Sequence, residues 1–372
     1  MNKSKFALIT VAATSILAIT GCAGGVVPGL PISSPTPEPV YVSAPLTGVK
    51  YLEGSAEATG LSNPSVACKI DNSEAARPQQ NLNKTDVVFD EMVEGGLTRL
   101  VAIWHSQLDS VGGTQTAGSL PGVGPVRSIR PMDPDIISPF GGIVCYSGGQ
   151  LKFVNMMRAT DVFNASETSE QGKGTFKRSK DREAPHNVIV DVKLLASQHT
   201  DIAAPQQMFD FAASTAEATA SSAGNPVSKF TVNFPSATAS WAPSKDGSVW
   251  LRTQDGKPHL DSASNAQIFA TNIVVLNVKE DRSYGDPKYG HIPKAVLIGK
   301  GRAWVFSGGK YIDAFWSKAD AKARILLTDA AGAAINLAPG NTWVELKPAD
   351  PEGKLTIVAG SSPTSPSPSP KK

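Results

Sequence analysis

Between Phe230 and Leu346 the chain passes through seven short apolar runs, Phe230–Phe234, Ile268–Val278, Ala295–Ile298, Ala303–Phe306, Tyr311–Trp316, Ala323–Leu327 and Trp343–Leu346, separated by turns of Gly, Asp, Asn or Pro. Runs of strand length bounded by such residues can bury their apolar side only by pairing with one another. The glycine pair in Phe306-Ser307-Gly308-Gly309-Lys310-Tyr311 suits a tight hairpin. Residues 228–348 are therefore expected to be a mostly antiparallel β domain, an architecture that more often supplies a scaffold or a binding face than catalysis.

Residues 46–212 read differently. Val66, Cys68 and Ile70 alternate with Ala67 and Lys69. Val87–Val93 and Leu97–Trp104 are two apolar runs joined by Glu94, Gly95 and Gly96, a hairpin, and Ile143–Tyr146 is a further short strand. Leu151–Met157 and Val192–Ser197 have helical character, so the whole chain is expected to be α+β. Residues 213–227, rich in Ala, Ser and Thr, read as a linker between the two domains. The loop Asp109–Gly122 is long enough to be a functional lid or a plain insertion.

The amino terminus says where these domains work. Lys3 and Lys5, the apolar stretch Phe6–Ile19, and Thr20-Gly21 before Cys22 have the order of a secretory leader with a small-residue cleavage site. The stretch is too short and too diluted by Thr10, Thr14 and Ser15 to span a bilayer, which takes about 20 apolar residues. Residues 1–21 are expected to be a lipoprotein signal, with lipid on Cys22 anchoring the chain to the cell membrane, facing outward. Residues 22–45, rich in Pro, Ser and Gly, form a tether, and residues 349–372, ending in Ser-Pro repeats and two lysines, a mostly disordered tail. Of 35 basic residues two leave with the leader, against 33 acidic ones, so the mature chain is formally neutral. Nucleic acid is not an expected partner, since such binders cluster an excess of Lys and Arg. Cys68 and Cys145 remain after lipidation, either paired in an oxidising exterior or buried separately as small apolar residues.

Four strings combine charge, proline and glycine at strand ends or in the loops that follow: IDNSEAARPQ (Ile70–Gln79), VEGGLTR (Val93–Arg99), GPVRSIRP (Gly124–Pro131) and KDREAPHN (Lys180–Asn187). In this order, behind the Cys22 signal, they resemble the YerB-like family of bacterial lipoproteins. The resemblance continues more weakly through GKGRAWVFSGGKYIDAFWSK and NLAPGNTWVEL. It implies layered sheets and helices followed by a β-rich second domain, and it supplies no catalytic residues. The chain differs from the family pattern in the Asp109–Gly122 loop, in Cys68 and Cys145, and in the Ser-Pro tail.

Read physically, the strings bring together Arg77, Arg99, Arg127, Arg130 and Arg182 with Asp71, Asp86, Glu94 and Asp181. On one reading the arginines, with Asn72, Ser128, Asn187, Glu94 and the loop glycines Gly95, Gly96, Gly148 and Gly149, hold an anion, because a guanidinium matches carboxylate or phosphate bidentately. A cell-wall polymer or an envelope protein would be the partner. On the other reading each arginine pairs with a carboxylate and pins a loop. An enzymatic alternative, a cell-envelope hydrolase or transferase, would use His186 as general base with Asp181 or Asp71 orienting it. Glu91 and Glu94 read as solvated acids beside a turn, with a glycosidase-like carboxylate couple as the alternative. No histidine pair has metal-ligand spacing, Ser147 lacks a nucleophile-elbow context, and neither a metal nor any other cofactor is expected.

Overall fold

Val87–Met92 and Thr98–Trp104 are buried along almost their whole length, which requires a sheet covered on both faces. The computed structural model describes residues 38–111, 120–285, 287 and 290–360. Cys22, the leader, most of the tether, the middle of the Asp109–Gly122 loop and the Ser-Pro tail lie outside the described residues. The first block supplies β1 (Val66–Asp71), β2 (Val87–Met92), β3 (Thr98–Trp104), helix α1 (Asp133–Ile137), β4 (Ile143–Tyr146), helix α2 (Leu151–Arg158) and β5 (Phe163–Ser166). The second supplies β6 (Asn225–Phe234), β7 (Ala237–Pro243), β8 (Trp250–Gln254), β9 (Asn272–Asp281), β10 (Gly299–Ser307), β11 (Lys310–Lys318), β12 (Leu326–Thr328), β13 (Thr342–Pro348) and β14 (Lys354–Ala359).

The blocks share one central sheet in the order β5–β4–β1–β3–β2–β13–β9–β10–β11–β12. β13 lies between β2 of the first block and β9 of the second, parallel to both. A smaller antiparallel sheet, β14–β6–β7–β8, packs on one face. There Val88, Leu100, Trp104, Val275 and Trp343 meet Phe230, Val232, Trp241 and Trp250. On the other face Ala67, Phe89, Val101, Val274 and Val344 meet Met132 and Ile136 around α1 and Phe153 and Met157 of α2. Each large apolar side chain buried this way contributes about 1.5–3 kcal/mol relative to exposure. The fold is α+β, with a mixed sheet first and mostly antiparallel strands after it.

Three segments differ from the sequence expectation. Lys354–Ala359, placed in the tail, is strand β14, because Leu355 and Ile357 alternate inward onto the small sheet's core. Within 213–227, read as a linker, Thr219–Ala223 is helical, Ala218 and Ala220 are buried, and β6 begins at Asn225. Its small side chains let it press on the β10–β11 turn, where a Cβ on Gly308 would lie 2.4 Å from Ser221 Oγ. Tyr41–Ser43, inside the expected tether, pairs with Lys50–Leu52. Cys68 and Cys145 are opposed in the parallel β1–β4 register with Cα atoms 4.5 Å apart, side chains meeting, within disulfide reach.

Candidate functional site

The site forms where β1 outruns its neighbour. β4 pairs only with Val66–Cys68, and beyond it Pro125–Arg127 takes over the edge, with Asp71 N donating to Pro125 O (2.9 Å) and Arg127 N to Lys69 O (2.8 Å). Alternation along β1 turns Lys69 and Asp71 toward the helix-covered face. Arg99 on β3 sits between Asp71 and Glu91 in the sheet register. The loop after β4 closes over this edge, Ile129 N donating to Gly148 O (3.2 Å). Gly148, at φ +77°, would put a Cβ 3.5 Å from Ser128 Oγ.

His186 completes the arrangement. Its Nδ1 is 2.6 Å from Asp71 Oδ2, and Arg127 Nη1 donates to the same oxygen at 3.2 Å. Ser73 N donates to Asp71 Oδ1 at 3.0 Å, and Ser73 Oγ lies 3.4 Å from His186 Nδ1. Burial pushes the Asp71 carboxyl up, but the Ser73 N–H, Arg127, His186 and Arg99 together outweigh it and hold the group below the usual carboxylate range. The imidazole side chain keeps 24% exposure and lines a cleft of about 810 Å³ with Arg77, Arg182, Gln80, Ser179 and Ser262. Asp181 lines the same cleft with an exposed side chain, so of the two proposed orienting acids Asp71 is the one that meets the ring.

The arginines are not equivalent. Arg77 pairs with Asp255 at 2.9 Å. Arg182 donates to Ala76 O at 2.9 Å and contacts Pro78 O, pinning the loop below it, and burial lowers its pKa. Arg130 Nε donates to Glu94 Oε2 at 2.9 Å and its Nη1 to Ile129 O at 2.9 Å. Arg99 differs: its Nη1 donates to Ser128 O at 3.3 Å, and among the described residues it makes no ion pair. Burial, with the like charges of Arg130 and Arg127, brings its pKa down to about 9.

Several expected members stand apart. Asn72 points to the opposite face, donating to Thr98 Oγ1 (2.8 Å) and Gln254 Oε1 (3.3 Å). Asn187 accepts from Arg178 Nη1 at 2.8 Å. Gly95 and Gly96 turn the β2–β3 hairpin at positive φ, and a Cβ on Gly96 would lie 2.6 Å from Pro235 Cβ, so this turn packs against the second block. Gly149 is pressed against Ile129. Asp86 is buried beneath the far end of β3 and accepts from His105 N and Ser106 N. Glu91, read as solvated, is fully buried on Lys69, because both faces of the sheet are covered.

Two buried charged groups escaped the sequence reading. Lys69 contacts Glu91 and lies 2.7 Å from Asp133 Oδ1, all three fully buried. On the opposite face Arg252 of β8 contacts Asp90, reaches Glu345 Oε1 at 3.8 Å, and lies over the Trp343 ring at 4.8 Å. Trp241 Nε1 donates to Glu345 Oε1 at 2.8 Å. Asp90 and Glu345 are opposed in the β2–β13 register that joins the blocks. The near-continuous apolar strands around these positions are the signal that both faces are covered, so their charged residues cannot reach water.

Residues 46–204 match the model of the family "Protein of unknown function (DUF3048) N-terminal domain", and residues 230–344 match that of its C-terminal domain. The chain belongs to this YerB-like family. It is 23% identical over 312 residues to "Putative lipoprotein YerB" of Bacillus subtilis (strain 168), covering 82% of this chain and 86% of that protein. The crystal structure of YerB from Bacillus subtilis matches with a TM-score of 0.68 at 21% identity, over 85% of this chain and 99% of that one. The YerB-like fold is therefore shared across both blocks. Among the described residues no helix is long and apolar enough to cross a membrane.

Proposed function

We propose that this YerB-like protein is a lipid-anchored, outward-facing binding protein that recognises an anionic component of the cell envelope through Arg99, Arg127 and Arg130. The anchor rests on the Lys3 to Cys22 leader pattern and on the lipoprotein named among its relatives. The observation that carries the binding role is Arg99. A half-buried guanidinium, with two others close enough to depress its pKa, no carboxylate in ion-pair contact among the described residues, and only partial compensation from Asp71 and Glu94, favours an incoming anion that relieves the repulsion. Wall-peptide carboxylates and polymer phosphates have the matching chemistry.

Co-sedimentation with purified wall polymer at low salt tests this. Arg99→Gln and Arg127→Gln should each weaken binding about tenfold or more, the equivalent of about 1.4 kcal/mol, while the fold persists; unchanged binding by folded variants rules the site out. The 2.6 Å contact between His186 and Asp71 favours a second reading, acid–base chemistry in the adjoining cleft. Release of wall fragments by the wild type that disappears in Asp71→Asn would support that reading over pure binding.

A further inference from the structure

Lys69, Glu91 and Asp133 form a group for which the binding site has no use. Lys69 on β1 and Glu91 on β2 reach toward each other over β3, and Asp133, the first residue of α1, closes the space above them. None of the three has measurable exposure. The amine lies 2.7 Å from Asp133 Oδ1 and touches Glu91 Oε1. In the sheet, Val101 lies beside Lys69 and Phe89 beside Val101, and the Phe140 ring meets Phe89 edge-on at 6.1 Å.

The two carboxyls are placed differently. Asp133 Oδ2 accepts the Arg130 N–H at 2.5 Å. Apart from the Lys69 amine that touches Oε1, neither oxygen of Glu91 has a hydrogen-bond partner among the described residues. Burial, helped by Arg99 and Arg130, lowers the Lys69 amine to about 8 despite Asp133, making the free amine accessible as a nucleophile. A nucleophile and an acyl group in fixed contact react with effective molarities far above any in solution.

We propose that Lys69 and Glu91 are joined by an amide between Nζ and Cδ, formed in the folded core with Asp133 as proton carrier. Asp133 takes a proton from the Lys69 ammonium and passes it to one oxygen of the Glu91 carboxylate as Nζ attacks Cδ, and the Nζ–Cδ bond forms. Asp133 then carries the second Nζ proton to the resulting hydroxyl, the Cδ–hydroxyl bond breaks, and the hydroxyl leaves as water. The ammonium and the carboxylate thus become one amide and one water, with no oxidant or co-reactant. The product replaces two charges buried at a cost of several kcal/mol each with a neutral group, and the dry surroundings oppose hydrolysis.

Peptide mapping of the full chain by mass spectrometry decides this. Trypsin should fail to cut after Lys69, and the peptides carrying Lys69 and Glu91 should appear joined and one water lighter than their sum, with fragmentation placing the bond at Nζ. Separate peptides of unmodified mass overturn the proposal, as does a water loss located elsewhere. Asp133→Asn should leave the two peptides separate in a protein that still folds; equal linkage in that variant overturns the proton-carrier role. The wild-type map is decisive by itself if the variant does not fold.

Discussion

Both faces of the central sheet bury a group of charged residues, Lys69 with Glu91 and Asp133 on one and Arg252 with Asp90 and Glu345 on the other. Burial and the neighbouring Asp90 raise the pKa of the Glu345 carboxyl, so in the folded protein it keeps a proton that the unfolded chain releases in the ordinary carboxylate range. The native state then binds more protons than the unfolded one across that interval, and stability falls as pH rises from about 4.3 toward the raised value. Glu345→Gln keeps an acceptor for Trp241 Nε1 and cannot ionise. Its thermal unfolding should lose much of the wild type's decline from pH 5 to 8, with a gain at pH 8 of about 1.4 kcal/mol, the equivalent of one pK unit; an unchanged pH profile would show that Glu345 does not keep a proton in the folded state. At this scale the sequence was partly readable. His186 and Asp71 could be named because they stand among prolines and polar residues that packing does not demand. Lys69 and Glu91 could not, because alternation in Val66–Asp71 reads as a half-exposed strand unless the second covering layer is known.

Among the elements, strands with local partners were legible and those with distant ones were not. The β2–β3 and β10–β11 hairpins follow from their glycine pairs, and α2 from its buried Phe153, Val154 and Met157 beside exposed Leu151, Lys152 and Asn155. Strand β14 was hidden by its closeness to the Ser-Pro tail, although Leu355 and Ile357 carry the period of two. Its removal should therefore matter where the tail's does not. A chain ending at Glu352 uncovers the edge of β6 and is expected to lose several degrees of melting temperature or to aggregate, whereas one ending at Gly360 should melt like the full chain. Equal melting of the two truncated chains would show that β14 is dispensable.

For the molecule as a whole, the boundary suggested by composition near residue 213 is crossed by the central sheet. Nothing in the pattern Trp343–Leu346 distinguishes a strand that closes a local meander from one inserted in parallel between two blocks, since periodicity reports burial and not partners. With β13 hydrogen-bonded to β2 and to β9, and Arg252 tying Asp90 to Glu345 beneath them, the blocks should unfold in a single transition by calorimetry and by near-UV signals. Two separated transitions would show that each block holds together alone.

The position of β13 also sets a timetable. A chain made from its amino terminus presents β2 with a bare hydrogen-bonding edge until Thr342–Pro348 emerges, by which time nearly the whole polypeptide has been made. The first block must wait, exposed to mispairing with neighbouring copies, for almost the last strand of the second. Folding of this protein is thus a race between completing the chain and sticking to itself, and the local concentration of unfinished copies would decide its yield.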